Sequence, residues 1–442
     1  MNNINLLKVG RQYPKIVPNN SYINKELIPP FSLAVVIYLL FITIKNHHCI
    51  IFHMKIAFTQ AYYLPVIDGP GQVIHELAMR YVKQGHDVHV FCSDSDKYKT
   101  IEKKEEVIDG VKIHRCRNWF TIANFATFWP SVLPKLLKEN FDIIHSHVSG
   151  HSYVLFSAIA AKIKKVPHIH TTHCCWTSGY RSLGGKIAVW IVYHTFLPWM
   201  FRWTDRIIAI TPWEINEIQK HGGKKEKIRV IPNGMNEIFF KRIKKNNFRK
   251  EHGIPPNAKI ALFFGRLNPT KGVDKLALAE KEILKTRKDI HFVFLGPDEG
   301  MLETAKKIAD SNKNFHFIGA IRDRKKVAEM YRAADVYCLP SYREGLPLTL
   351  FEAMASGLPI VASPVNGIPY EMKDNENGIF VQYGDVAGLV KAITKSIDDK
   401  QFSSRVRKNN VKRAKQYDWT LIANRVMAVY KEVLGAKRKS MY

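Results

Sequence analysis

The sequence predicts an α/β protein of two doubly wound, Rossmann-like domains. Three observations carry this reading. Short apolar segments alternate with stretches of helical periodicity, those segments are apolar at nearly every position, and a basic, poorly periodic stretch at 222–250 divides them into two series. Strands covered by helices on both faces need apolar side chains on both sides, which is the pattern of parallel sheets. A chain of 442 residues also exceeds one ordinary core, so two domains are expected from length.

The first series opens with MKIAFTQ at Met54, followed by a Gly/Pro turn at Asp68-Gly69-Pro70-Gly71, helical periodicity from Gln72 to Lys83 and the strand DVHVFC from Asp87. Strand, helix and strand in that order make a right-handed βαβ unit. FDIIHSH (141–147), PHIHTTH (167–173) and RIIAIT (206–211) continue the sheet. The second series is KIALFFG (259–265), HFVFLG (291–296), FHFIG (315–319), VYCLPS (336–341) and IVAS (360–363). The expected organisation is an N-terminal extension (1–53), a first domain (54–232), a second (233–417) and a C-terminal helix (418–442) returning to the first domain. Ligands of such sheets sit beyond the carboxyl ends of the strands.

Hydrophobic residues at 46% and charged residues at 24% are those of a globular protein and leave no room for a long disordered or collagen-like stretch. The 67 Lys+Arg against 39 Asp+Glu give a net charge of +28, which attracts polyanions or anionic lipid headgroups. Cys49, Cys92, Cys116, Cys174, Cys175 and Cys338 are scattered, without a C-x-x-C pair or zinc spacing, as expected in a reducing compartment; Cys174 and Cys175 read as a buried, inert pair. The apolar run 31–44 is shorter than the roughly 20 residues needed to span a bilayer. Because Met54 directly precedes the first strand, it is expected to be the physiological start, and residues 1–53 to contribute nothing to the catalytic fold.

Neither series carries G-x-G-x-x-G after its first strand, and no G-x-x-x-x-G-K-[ST] occurs, which weakens dinucleotide oxidoreductase and NTPase readings. The chemistry concentrates instead in SYREGLPLTLFEAMASGLPIVAS. Glu344 falls in a loop after a strand and Glu352 on the following helix, with Pro347 in its first turn and Gly357 at its end. Gly345, Leu346 and Pro347 then lead into unpaired helix-start amides that can meet a diphosphate, while the two carboxylates can accept hydrogen bonds from sugar hydroxyls. The alternative, two solvated glutamates beside an amphipathic helix, leaves the strand, loop and helix pattern unused. Arg266 and Lys271 follow another strand, in a loop with Pro269 and Gly272, where cations can stabilise charge on a departing phosphate.

Residues 341–363 resemble the Glu-x7-Glu signature of the family 4 retaining glycosyltransferases, and GRLNPTKGVD (265–274) resembles their G-R-L-x4-K-G loop. IPNGMN (231–236) and the segment 68–90 extend the resemblance to roughly residues 54–434. It implies the GT-B fold, a nucleotide diphosphate sugar as co-substrate, no further cofactor, no metal, retention of anomeric configuration and no protein nucleophile. It also implies Glu352 on the ribose, Glu344 and His147 on the sugar, and Arg266 and Lys271 on the diphosphate. His147 ends its strand, where His145 and His173 compete for that role. Loop 68–71 should approach diphosphate or acceptor through the amides of Gly69 and Gly71, with Asp68 meeting an acceptor hydroxyl. Here the family has Gly-Gly and this chain has Asp-Gly-Pro-Gly, so Pro70 removes one amide donor.

Trp176, Trp190, Trp199, Trp203 and Trp213 fall among Arg181, Lys186, Arg202 and Arg206, a combination that suits either a membrane interface or the packing of long helices under the first sheet. The expected partners are thus a nucleotide sugar, an acceptor glycan or lipid and an anionic membrane surface, in the cytoplasm or on the cytoplasmic face of a membrane. A nucleotide-sugar epimerase on the same fold is the nearest alternative. A glycoside hydrolase would leave the phosphate loops unexplained. A nucleic-acid-binding protein would use the charge, but no recognition-helix, RNP-like or zinc motif supports it, and no nucleic acid is expected.

Overall fold

The computed structural model describes residues 53–439 apart from 66–67, 97–98, 123–125, 175, 177–182, 242–245 and 322. The apolar run 31–44, Cys49, Cys175 and Arg181 lie outside the described residues. In chain order the first sheet contains β1 (Lys55–Gln60), β2 (Asp87–Ser93), β3 (Glu105–Ile108) and β4 (Val111–Cys116). A small hairpin, β5 (Phe120–Ile122) and β6 (Ala126–Phe128), precedes β7 (Ile143–His147), β8 (His168–Thr171), β9 (Arg206–Ala209) and β10 (Ile228–Val230). The sheet runs β10-β9-β8-β7-β1-β2-β4-β3, parallel except for the edge pair β3/β4.

The second sheet contains β11 (Lys259–Phe264), β12 (Ile290–Leu295), β13 (Phe315–Ile318), β14 (Val336–Leu339), β15 (Ile360–Ala362) and β16 (Gly378–Phe380), in the order β13-β12-β11-β14-β15-β16. All its pairings are parallel. In both sheets the strand order reverses beside the first strand, between β1 and β7 and between β11 and β14, and crevices for ligands form at such reversals. Fully buried strands such as IHFVFL in β12 place apolar side chains into cores on both faces.

Three segments depart from the sequence reading. The helix expected from Gln72 begins at Gly69, because Asp68 caps it by accepting from the Gly71 amide at 2.8 Å and Pro70 suits a first turn. The stretch read as linker contains β10, whose Arg229 meets Glu432 at 2.5 Å. The hairpin of β3 and β4 alternates exposed and covered positions, so it lacks the all-apolar signature.

The helix Trp419–Lys439 lies on the first domain. Tyr81 donates to the Ala423 carbonyl (2.9 Å), Tyr430 meets His145 (2.7 Å), and Glu432 pairs with Arg206 as well as Arg229. The chain enters this helix beside its first crossing between sheets: the Met235 amide donates to the Tyr417 carbonyl at 2.7 Å, and a Cβ on Gly234 would stand 2.3 Å from the Trp419 ring.

Histidines on β7 and β8 are unusually buried for their type. His145, His147, His168 and His170 have no solvent exposure, and Ser146 bonds both His168 (2.8 Å) and His170 (2.9 Å). Burial lowers all four pKa values, that of His168 to about 3. An unfolded histidine titrates near 6.5, so below that pH the unfolded chain binds protons that the native state refuses. This stabilisation is complete above pH 6.5 and is lost as pH falls toward the folded values, with a slope of about 1.4 kcal/mol per pH unit for each such histidine. Urea unfolding is therefore expected to show a marked loss of stability from pH 7 to pH 5. A flat profile would mean that these imidazoles are charged in the native state.

Candidate active site

Two loops beyond β11 and β14 are locked together. After β11 the chain makes a short turn at Pro269–Lys271 and passes through Gly272 at φ +65°, where a Cβ would lie 2.1 Å from the Pro340 carbonyl oxygen. No other residue fits there, because both the backbone conformation and the space exclude a side chain. The Tyr342 amide donates to the Thr270 carbonyl (2.9 Å), tying one loop to the other. Between them Lys271 Nζ stands 2.6 Å from Glu344 Oε1, which also accepts from Ser341 Oγ at 2.7 Å. Glu344 is only 5% exposed, so its carboxylate is held by bonds that replace lost hydration.

Glu352 sits on the helix Leu348–Ala355, which Pro347 precedes in an extended conformation and no side chain caps. Leu350, Phe351 and Met354 bury the helix, and Gly357 at φ +73° turns the chain away. The Glu352 carboxylate accepts from Arg324 (2.8 Å) and Tyr331 (3.1 Å), and Arg324 lies over the Phe239 ring. Burial, aided by the adjacent Glu352, pushes the Tyr331 phenol pKa well up, so it stays a neutral donor.

On the first domain, His147 ends β7 with Nδ1 2.8 Å from Nε2 of His173, while its buried Nε2 has no hydrogen-bond partner among the described residues. The backbone here is strained: Val148 (φ +65°), His173 (φ +58°) and Cys174 (φ +53°) all adopt left-handed conformations. Glu214, fully buried, holds the second of these turns. Its carboxylate accepts from Thr172 Oγ1 (2.6 Å), the Cys174 amide (2.7 Å), Trp176 Nε1 (3.0 Å) and the Ile210 amide (2.7 Å). Burial raises the Glu214 pKa against the pull of these four bonds.

The two halves meet at Gly345. A Cβ there would stand 2.9 Å from Cys174 Cβ and 3.6 Å from the His173 carbonyl oxygen, and the Leu346 carbonyl accepts from Asn233 at 3.0 Å. The structure thus brings Lys271, Glu344, Gly345 and Leu346 against the turn that carries His173, the neighbour of His147.

Other expected residues stand differently. The Arg266 guanidinium faces Glu299 at 3.0 Å and is half exposed, apart from the Lys271 pair. Gly69 and Gly71 lie in the first turn of a helix instead of a loop, and the Gly71 amide is consumed by Asp68. Asp68 also stands beside the Gln60 amide group at 3.4 Å. His145 binds Tyr430 and Thr171 inside the sheet and so does not compete for the cleft. Ser341, Arg324, Tyr331 and Glu214 carry no signal of their own in the sequence because their contacts join separate elements; only Ser341, three residues before Glu344, lies within motif range, while His173, a competitor of His147 by its place after a strand, proves to be its hydrogen-bond neighbour.

This geometry, two parallel sheets with a carboxylate and cation at their facing carboxyl ends, is that of the GT-B glycosyltransferases. Residues 244–413 match the family described as glycosyl transferases group 1, and residues 67–237 match glycosyltransferase family 4. The chain belongs to these group 1, family 4 glycosyltransferases and is an enzyme of that class. It is 27% identical over 371 residues to the UDP-Gal:alpha-D-GlcNAc-diphosphoundecaprenol alpha-1,3-galactosyltransferase of Escherichia coli, covering 79% of this chain and 89% of that one. It is 27% identical over 308 residues to the D-inositol 3-phosphate glycosyltransferase of Corynebacterium diphtheriae, covering 66% of this chain and 70% of the other. Among solved structures, Anabaena HepE in complex with UDP-glucose superposes with a TM-score of 0.68 at 20% identity, covering 86% of this chain and all of that one.

Replacing Glu214 with alanine strands three donors in the protein interior, the Thr172 hydroxyl keeping the Ile208 carbonyl at 3.3 Å, and each unsatisfied group costs about 1–3 kcal/mol. Glu214→Ala is expected to lower unfolding free energy by at least about 3 kcal/mol, with Glu214→Gln milder because it keeps one acceptor oxygen. Equal stability of the alanine variant and wild type in urea titrations would contradict this role.

Proposed function

We propose that the protein transfers a sugar from a nucleotide diphosphate donor to an acceptor hydroxyl with retention of configuration. The observation that carries this is the Lys271–Glu344 pair, a buried carboxylate with a partly buried ammonium, at the reversal between β11 and β14, with Gly345 beside the turn at His173 and Cys174. Lys271 meets the charge that grows on the diphosphate as the glycosidic bond breaks, and Glu344 accepts from a sugar hydroxyl. The uncapped amides at Leu348 and the extended Leu346-Pro347 segment face the phosphates. Glu352, held by Arg324 and Tyr331, takes the ribose, and His147 offers its unpartnered Nε2 to the sugar. Arg266 joins the diphosphate by exchanging Glu299 for it. Protein cations carry the leaving-group charge, and no metal or further cofactor is required.

Contacts that strengthen as charge develops act on turnover, not on ground-state affinity. Lys271→Ala is expected to lower kcat roughly 100- to 1000-fold at saturating donor, and Glu344→Gln and Glu352→Gln to lower it by orders of magnitude, with some loss of stability as well, because each carboxylate offsets a shielded cation. Release of nucleoside diphosphate from a panel of nucleotide sugars, measured in EDTA, reads this directly. A change in KM alone would overturn the role of Lys271, and an isomerised nucleotide sugar without acceptor would identify an epimerase.

A membrane surface as partner is favoured by the helix Leu183–Trp203. It packs inward through Tyr193, Leu197, Met200 and Phe201, yet leaves Leu183, Ile187, Trp190, Phe196 and Trp199 at least half exposed, beside exposed Lys186 and Arg202. An apolar patch of this size on a chain of +28 charge suits the boundary of an anionic bilayer, and the acceptor is then a lipid-linked glycan. Among the described residues no helix is long and apolar enough to cross a membrane. The protein is expected to sediment with anionic liposomes at low salt and to be released when Trp190, Trp199 and Lys186 are replaced together. Absence of sedimentation would leave this face without a lipid partner.

A further inference from the structure

A second cluster lies away from the cleft, near the amino-terminal end of β2. His89 on β2 and His114 on β4 stack with ring centroids 5.0 Å apart and planes 10° apart, between Phe91 and Phe141. Nδ1 of His89 faces Nε2 of His114 at 2.8 Å. Each ring's other nitrogen faces a carboxylate: His114 Nδ1 stands 2.5 Å from Glu105, and His89 Nε2 stands 3.1 Å from Asp87. Glu139, just past the helix Val132–Lys138, brings a third carboxylate close enough that one ligand atom from each of His89, His114 and Glu139 fits within 4.8 Å of the others.

The row carboxylate, imidazole, imidazole, carboxylate has three junctions, and each needs one proton between its two acceptors. Two neutral imidazoles supply only two N–H groups. If both outer nitrogens carry the protons, two lone pairs oppose each other at 2.8 Å; if His89 turns its proton inward, its Nε2 opposes Asp87. The latter nitrogen is buried and has no aligned hydrogen-bond partner. The row is therefore short of one electrophile at its junctions, although Lys112 and Lys135 already offset the charges of Asp87 and Glu105.

We infer that His89, His114 and Glu139 bind a divalent transition-metal cation of the zinc class, with the two imidazoles oriented by Asp87 and Glu105. Two imidazoles and one carboxylate suit zinc, and imidazoles that hand their second nitrogen to a carboxylate are the usual arrangement around it. Glu139 also contacts Lys55, whose ammonium must yield part of the carboxylate to the ion. The second sheet supplies an internal comparison: His291 and His316 face each other at 2.9 Å in the same diagonal pairing, but gather no third ligand among the described residues. The site ties β2, β4 and the end of the helix Val132–Lys138 together, so its consequence is stability of this edge, not chemistry in the cleft.

The test uses the untagged full chain, stripped with chelator, desalted and titrated with Zn2+ by calorimetry and with Co2+ by visible absorption. One ion per chain, a tetrahedral cobalt spectrum and a higher unfolding temperature with Zn2+ are expected. His114→Gln should abolish binding, His316→Gln should leave it unchanged, and Glu105→Gln should weaken it about 10- to 100-fold. If His114→Gln fails to fold, Glu105→Gln and Glu139→Gln, both at partly exposed side chains, decide in its place. No zinc binding by wild type, or binding that survives Glu139→Gln and His114→Gln unchanged, overturns the assignment. An imidazolium seen by NMR in the metal-free row at neutral pH, with no zinc uptake, assigns the unfilled junction to a proton and overturns it equally.

Discussion

Everything at the cleft depends on the close approach of two loops at Gly272. Because the Pro340 carbonyl occupies the space where a side chain would start, the Lys271 backbone is held within side-chain reach of Glu344, and the Glu344 carboxylate then selects the lysine rotamer. That matters energetically. A buried ammonium and carboxylate lose hydration worth several kcal/mol per ion, and only good geometry with further hydrogen bonds returns it. Ser341 and the Tyr342–Thr270 backbone bond provide those further constraints, so the pair is preorganised in a place from which water is largely withdrawn. Preorganised charge of this kind is what a departing diphosphate requires.

The fold was largely legible in the sequence because parallel strands under helices are nearly all apolar, and segments such as IHFVFL admit little else. Glu344, Glu352 and Lys271 were legible because they lie in short local patterns around glycine and proline. What escaped was long-range or compositionally disguised. Nothing near Glu214 in the chain announces that Thr172, Cys174 and Trp176, some 40 residues earlier, converge on its carboxylate. β10 was hidden by its lysine- and arginine-rich surroundings, yet its Arg229 is neutralised by Glu432 from the far end of the chain. Arg266 shows the converse limit: its place in a motif fixes the backbone, but the partner of its side chain, Glu299, is set by a neighbouring loop.

The domains are joined where the polypeptide crosses between them twice. Gly234 beneath Trp419 and the Met235–Tyr417 bond pin the outgoing and returning strands together, while Gly345 against Cys174 brings the cleft walls into contact further out. Glu214 fixes the wall that Gly345 meets, since it holds the Cys174 amide and the left-handed turn beside it.

The returning helix also imposes an order on biosynthesis. Tyr430 and Glu432, which engage His145, Arg206 and Arg229, are translated only after the whole second domain. Until then the nascent first domain emerges from the ribosome with the Tyr81 and His145 face of its sheet uncovered and its edge arginines unpaired. Domains generally fold in the order of synthesis, but here the earlier one is finished last. Interrupted translation would thus strand a domain with apolar surface open to chaperones and proteases, whereas a completed chain seals it in a single step.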